Sequence, residues 1–301
     1  MSISTSTQGE RIRSLFRDAS EATIIAPFMK IDALHSILKV IPKSAPIRCV
    51  TRWIPSEVAA RVSDPKILDI LREREAYELL LVDRLHAKLY IADSECLVGS
   101  ANVTLAALGE TPGESNIEVL VSSSTNDPGV RQTLADIESE ATTATDQMAE
   151  TVLRMADALM DFESPPPNQT WHPFSRKPED AYRIYSIRHS SYMTRAERVL
   201  LRDIALADLR PGLDEESFRY SIRALLTAIP TASAILSAPN DELITRADAT
   251  VYLKSIRTDD FDENDLWLAF VKWMSHFFDD KVMIQEISEI ALRKAVVIPI
   301  R

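Results

Sequence analysis

Residues 85–102 read LHAKLYIADSECLVGSAN, and this run decides what kind of domain the chain builds. On an extended strand, side chains two apart share a face. His86 and Lys88 then point one way, while Leu85, Ala87, Leu89 and Ile91 point the other way into a core. Only Asp93–Glu95 separates this strand, His86–Ala92, from the next, Cys96–Asn102, so a hairpin is expected. On the second strand Ser100 and Asn102 share a face opposite Leu97 and Ala101, and Gly99 allows close backbone approach. A third strand, Asn116–Ser122, repeats the device, with Asn116 and Glu118 alternating with Ile117 and Val119. Three neighbouring strands thus carry polar groups on one face and an apolar core behind them.

Upstream of this run, helix-like and strand-like periods alternate. Residues 9–20, Ile31–Ile41 and Pro55–Arg74 read as helices, and Ala22–Ala26, Ile47–Arg52 and Tyr77–Val82 as strands. Helices between early strands point to βα units, and the fold class expected is α/β, a sandwich around a mixed sheet. Downstream, Asp127-Pro128 suits an N-cap and first turn, opening one long acidic helix through Leu159. Three prolines at 165–167 must end it, so the expected domains are 1–163, a Pro-rich linker 164–170, and 171–301. The last reads as mostly α-helical, with Ala295–Ile300 a strand or an extended tail. Trp267, Phe270, Trp273, Phe277 and Phe278 have the spacing of a helix core.

The polar set has a chemistry. A neutral imidazole can attack phosphorus and form a covalent intermediate, while an ammonium and Ser and Asn donors stabilise the non-bridging oxygens. A carboxylate on the second ring nitrogen fixes the tautomer, and Glu118 is placed for that role. This scheme requires neither metal nor other cofactor.

The ordered set His86, Lys88, Asp93, Gly99, Ser100 and Asn102 resembles the HKD motif of the phospholipase D superfamily, HxKx4D followed by GSxN. Asn116-Ile-Glu118 resembles the NxE that often accompanies it. The resemblance implies a phospholipase D-like fold over about the first 160 residues. It also implies His86 as nucleophile or acid/base, Lys88, Asn102 and Ser100 at the phosphate, and Asp93 as a structural partner. Five residues separate Asp93 from Gly99, where many members have six. The family's mechanism uses two such histidines. None of His35, His172, His189 and His276 is followed by Lys two positions later, so the second His86 is expected from another subunit of a homodimer, across the sheet edge. His35 and His276 read as ordinary helix residues.

A net charge of -11 removes the easy argument for nucleic acid. The acids crowd between Asp127 and Glu163, however, and an acidic helix can face away from a substrate. Arg183, Arg188, Arg195 and Arg198, interleaved with Tyr182, Tyr185 and Tyr192, are the substrate-contacting set expected outside the site, weighed against a plain solvated face. Cys49 and Cys96 are too few for a disulfide framework or thiolate zinc site, and no apolar run is long enough to cross a bilayer. With no apolar leader, a cytoplasmic protein is expected. By resemblance to compact single-motif members, the leading function is a DNA endonuclease, DNA preferred to RNA, with defence against foreign DNA as a plausible role. The alternatives are a phospholipid phosphodiesterase and a regulated or non-catalytic subunit that binds a protein partner through the acidic helix or C-terminal domain.

Overall fold

The computed structural model describes residues 6–111, 113–160, 171–187, 193–239, 241–258, 261–286 and 290–295. The prolines of 164–170, Arg188, His189, Tyr192 and positions 296–300 of the expected tail lie outside the described residues. The chain divides into two compact units, Met1–Leu153 and Arg154–Arg301.

The first unit runs α1 (Gln8–Phe16), β1 (Ala22–Ile25), α2 (Ile31–Leu38), β2 (Ile47–Thr51), α3 (Pro55–Ala59), α4 (Ile67–Leu71), β3 (Tyr77–Leu81), β4 (Leu89–Ala92), β5 (Glu95–Gly99), α5 (Leu105–Leu108), β6 (Leu120–Ser124), α6 (Pro128–Glu140) and β7 (Thr142–Thr143). The helix α7 (Asp146–Met160) follows and spans the division. The strands form one mixed sheet in the order β6-β5-β4-β1-β2-β3-β7. The pairs β1–β2 and β2–β3 are parallel, as the βα units require; β1–β4, β4–β5, β5–β6 and β3–β7 are antiparallel. Ile25, Val50, Leu80, Leu85, Leu89, Ile91 and Cys96 face Val130 and Ile137 of α6. The alternate positions Ile24, Cys49, Leu79, Tyr90 and Leu97 are also buried, and α1 packs on β4 and β5, α4 on β3. The fold is an α/β sandwich around a mixed sheet, with period-two alternation feeding a core on each face.

Two expected helices are each broken in two. Pro55–Arg74 becomes α3 and α4, because Arg61 takes a left-handed φ of 60° and Asp64 precedes Pro65, which disfavours helical geometry there. The long acidic helix stops at Glu140. Thr142 and Thr143, β-branched and suited to a strand, pair with Leu81 and Leu80 and so cover the far edge of the sheet. Its start is as expected: the Asp127 carboxylate accepts from Gly129 N and Val130 N at 2.8 and 3.2 Å. Several acids of these helices pair with arginines of their own unit: Glu138 with Arg48, Glu140 with Arg84 and Asp146 with Arg72. Exposed pairs of this kind are worth less than about 1 kcal/mol each. They nevertheless occupy charges that would otherwise be free for a partner.

The second unit contains α8 (Ala181–Ser186), α9 (Arg195–Leu206), α10 (Glu215–Thr227), α11 (Pro230–Ser237), β8 (Leu243–Ile244), α12 (Arg246–Ile256), α13 (Glu263–Phe277), β9 (Val282–Glu286) and β10 (Ile290–Lys294). It is mostly helical, with a small antiparallel sheet, β8-β10-β9, that the helical reading does not foresee. The five aromatics of 267–278 are core, and two indoles are anchored, Trp267 Nε1 to Ile290 O and Trp273 Nε1 to Ser175 O.

Two buried titratable groups stabilise this core in opposite pH directions. His172 lies between Leu266 O and Tyr252 Oη, and burial holds its imidazole down at about 4. Asp203 accepts from Phe174 N and Ser175 N, and burial pushes its carboxyl up to about 7 despite those amides. As pH falls from about 6.5, the ordinary imidazole value, toward 4, the unfolded chain binds a proton at His172 that the folded unit refuses, so stability is lost. Asp203 contributes stability that is fully present below about 3.9 and is lost as pH rises through 7. Asp203→Asn is therefore expected to make the melting temperature fall more steeply between pH 6.5 and 4 than in wild type. Parallel melting profiles count against this.

Candidate active site

The sheet's registers bring the motif residues to one end. Ile25 at the end of β1 pairs with Leu89 at the start of β4, Leu89 with Val98 near the end of β5, and Gly99 with Leu120 at the start of β6. The carboxyl end of β2, at Thr51, lies on the other side of β1, paired with Leu81. His86, Lys88, Ser100, Asn102 and Glu118 therefore all leave the sheet where β1 and β2 also end. In open α/β sheets this is the edge on which crevices form, where connections depart to opposite sides.

The polar residues stand just beyond the strands rather than on them. β4 begins at Leu89, β5 ends at Gly99 and β6 begins at Leu120. The reason lies in β1: Pro27 follows Ala26, and the β1 pairing ends at Ile25 opposite Leu89, while on the other side Gly99 N of β5 still donates to Lys88 O at 3.2 Å. The alternation still holds across this run. Leu85, Ala87 and Leu89 belong to the cluster facing α6, Lys88 and Tyr90 alternate with them, and His86 borders a cavity with Thr133, Asp136 and Glu140 of α6. His86 is exposed, whereas Lys88 is only 8 % exposed and Tyr90 is buried.

The Lys88 ammonium donates to His86 O at 2.7 Å. Its pKa is lowered by burial and by the nearby Arg52 guanidinium, with Glu118 drawing it partly back. Ser100 Oγ donates to Glu118 Oε2 and accepts from Val119 N at 3.1 Å, while Asn116 Nδ2 donates to Glu118 Oε1 at 3.1 Å. The hydrogen bonds of the Glu118 carboxylate thus go to Ser100 and Asn116, and the charge sits beside Lys88. Tyr90 Oη donates to Ala101 O at 2.9 Å. From there the chain crosses above β4 to bond the segment after β1, Val103 N to Phe28 O at 3.0 Å and Lys30 N to Val103 O at 2.9 Å. Asn102 lies on that crossing, and its Oδ1 is buried with no hydrogen-bond partner among the described residues. A buried amide with an unfilled polar atom can turn to offer either its oxygen or its Nδ2 to a ligand.

Gly99 shows why only glycine fits at this corner. A Cβ there would run into the Val119 carbonyl, 2.8 Å from its carbon atom and 3.0 Å from Leu120 Cα. The backbone of β6 uses that space and carries Glu118 toward Ser100 and Lys88.

Asp93 is at the opposite end of β4 from His86, separated by roughly 20 Å of extended chain. It occupies the two-residue turn to β5, with φ 56°, and its carboxylate accepts from Ser20 N and Glu21 N at 3.1 and 3.2 Å. It pins the α1–β1 connection to the hairpin and touches none of the polar set. Asp93→Ala is expected to cost about 1 kcal/mol, read as a drop of a few degrees in melting temperature, with cleavage rate changed by less than about threefold. A collapse of the rate in a folded variant contradicts this placement.

Arg52, which the strand reading ended on without singling out, also reaches the site. It follows β2, its side chain is 17 % exposed, and it forms an ion pair with Glu57. Its position at the carboxyl end of a parallel strand was the signal available in the sequence.

In the second unit, Arg183 is engaged by Asp180 and Glu197, both at about 3.0 to 3.1 Å. Tyr182 and Tyr185 pack on Phe218, and Tyr185 Oη donates to Arg210 O. These tyrosines are core rather than a stacking platform. Arg195 and Arg198 are exposed on α9. His35 is exposed on α2 and His276 is half-buried beside Arg219.

No family model matches this chain, and no curated protein is similar to it at a significant level. Among solved structures it is similar to TrmBL2, an archaeal chromatin protein whose structure shows a novel mode of DNA binding. That likeness has 16 % identity and a TM-score of 0.30, covering 44 % of this chain and 49 % of that one. It is also similar to phosphatidylserine synthase of Haemophilus influenzae Rd KW20, with 12 % identity and a TM-score of 0.32, covering 52 % of this chain and 43 % of that one. The chain spans about half the length of either. Likeness this slight carries nothing about activity.

Proposed function

We propose that the chain is a metal-independent phosphodiesterase of the phospholipase D kind, acting as a DNA endonuclease through a site shared by two subunits. The observation that carries this reading is the convergence of the segments bearing His86, Lys88, Ser100, Asn102 and Glu118 at one end of the sheet, with Lys88 buried and the Asn102 amide oxygen without a partner among the described residues. In this reading a phosphodiester meets the exposed His86 imidazole and the desolvated Lys88 ammonium. In water-poor surroundings such a cation stabilises developing charge far better than in solvent.

In the proposed reaction an imidazole nitrogen of His86 forms a bond to phosphorus as the bond to the leaving oxygen breaks. The partner subunit's His86 protonates that oxygen. Water then attacks phosphorus, the N–P bond breaks, and the proton passes back to the second imidazole. Lys88 and Asn102 hold the non-bridging oxygens. Glu118 fixes Ser100 and balances Lys88.

A second subunit is supported by the sheet edge. Ile117 is fully exposed, and Val119 and Val121 are 59 % and 55 % exposed, at alternate positions running into edge strand β6 and beside Glu118. An apolar strip on an edge strand is a surface that a second copy can cover. Mixing equal amounts of wild-type and His86→Ala chains, after subunit exchange, is expected to leave about a quarter of the activity, because only wild-type pairs carry both imidazoles. Half the activity, the share expected if each wild-type subunit works independently of its partner, rejects the shared site.

DNA as the substrate, with defence against foreign DNA as the setting, follows from the motif resemblance. Arg195 and Arg198 are the exposed cations of the second unit assigned to backbone phosphates. Two free and buried thiols, Cys49 and Cys96, fit a cytoplasmic setting. No helix among the described residues is long and apolar enough to cross a membrane.

A further inference from the structure

The run before β4 is tied to β5 at Lys88, whose carbonyl accepts from Gly99 N at 3.2 Å, yet a nucleophile at His86 has to be held within a fraction of an ångström of its target. Two cations hold it. Lys88 Nζ donates to the carbonyl of His86 at 2.7 Å, and Arg52 Nη1 donates to the carbonyl of the preceding residue, Leu85, at 2.9 Å. The peptide between Leu85 and His86 is thus held by Arg52, and that after His86 by Lys88.

Arg52 is itself fixed on every side. Its Nε donates to Glu57 Oε2 at 3.0 Å and its Nη2 to Glu57 Oε1, a two-pronged pairing that only a guanidinium makes. Its Cζ lies 5.4 Å from the centroid of Phe28, the residue whose carbonyl accepts from Val103 N and so supports the Asn102 crossing. Ser63 Oγ donates to its backbone carbonyl at 3.2 Å. Glu57 is equally enclosed, at 16 % exposure. One side chain therefore links β2, α3, the segment after β1 and the residue before His86.

We propose that Arg52, clamped by Glu57, is a positioning residue of this site: it fixes the His86 backbone through the Leu85 carbonyl and stands as a second immobile cation beside Lys88. The inference rests on the phosphodiesterase reading for its kinetic consequence, but not for its structural one. A guanidinium already engaged with a carboxylate and a carbonyl acts on phosphate through Lys88 and His86 rather than by touching it. The lowering of Lys88 by Arg52 agrees with the two charges being neighbours.

The test uses the full-length protein with Arg52→Met, Arg52→Lys and Glu57→Gln, each checked for a cooperative melt. The Lys88 ammonium is followed by NMR titration of protein labelled with 13C at lysine Cε, with Lys88→Met for assignment, and plasmid cleavage gives kcat and KM. In Arg52→Met, Lys88 is expected to titrate at higher pH than in wild type, and kcat to fall about 100-fold with KM within threefold. Arg52→Lys is expected to restore the charge effect on Lys88 but not kcat, since one ammonium cannot bond Glu57 in two places and Leu85 O together. If Arg52→Met does not fold, Glu57→Gln takes its place, with a smaller fall in kcat expected. An unmoved Lys88 titration in folded Arg52→Met, or full kcat in both folded Arg52 variants, overturns the proposal. Should wild type cleave no phosphodiester, the phosphodiesterase reading fails, and the Lys88 titration alone decides whether Arg52 is coupled to the site.

Discussion

His86→Ala is expected to reduce cleavage by at least about 10⁴-fold, a loss of about 5.5 kcal/mol in transition-state stabilisation. Removing the imidazole takes away both roles assigned to it, since each subunit supplies either the attacking nitrogen or the proton donor. The side chain is exposed, so its truncation has little packing to lose and the melting temperature is expected to stay within the change typical of surface substitutions, about 0.5 kcal/mol. That separation is what makes the variant informative: activity disappears while the fold does not. Initial rates on plasmid DNA beside a thermal melt measure both. A folded His86→Ala protein that retains even a tenth of the wild-type rate places the chemistry elsewhere.

Gly99→Ala is expected to have the largest effect on stability of any single methyl addition in the first unit. The new Cβ meets backbone rather than a yielding side chain, at the Val119 carbonyl and Leu120 Cα. Overpacking against groups that can move costs about 1–3 kcal/mol. Here β6 itself must shift, so about 3 kcal/mol or more is expected, roughly 10 °C in melting temperature for a unit of this size. The shift also carries Glu118 away from Ser100 and Lys88, so any protein that folds is expected to cleave more slowly at temperatures well below its melt. A Gly99→Ala protein with wild-type melt and wild-type rate contradicts the close approach of β5 and β6 as the element that builds this corner.

The fold was legible where periodicity and pairing partners agreed. Ile47–Thr51 alternates and has strands on both sides, and β2 spans those residues. The His86–Ala92 run alternates as well, yet β4 spans Leu89–Ala92, because β1 gives way to Pro27 and a strand needs a ladder as much as a pattern. Helix breaks were harder to read. Pro65 was visible, but the left-handed turn at Arg61 has no sequence signature, and Thr142-Thr143 became a strand because β3 had an open edge. Residue types and order put forward His86, Lys88, Ser100, Asn102 and Glu118 as candidates, and their segments meet at one end of the sheet. Spacing alone could not tell that the Glu118 carboxylate serves Ser100 and Asn116, or that Asp93 turns the far end of the hairpin. Arg52 belongs to a different segment from the motif, and only the register of β1, β2 and β4 brings it to Leu85.

The most direct test is to trap the covalent intermediate. Wild-type protein is mixed with plasmid DNA in excess EDTA and quenched in alkali, where a phosphohistidine persists. After proteolysis and nuclease trimming, the peptide containing His86 is weighed by mass spectrometry. A nucleotide adduct on His86, absent from His86→Ala, is the expected result. Contradiction is equally clear: DNA cleavage that stops in EDTA, or that proceeds with no adduct at His86.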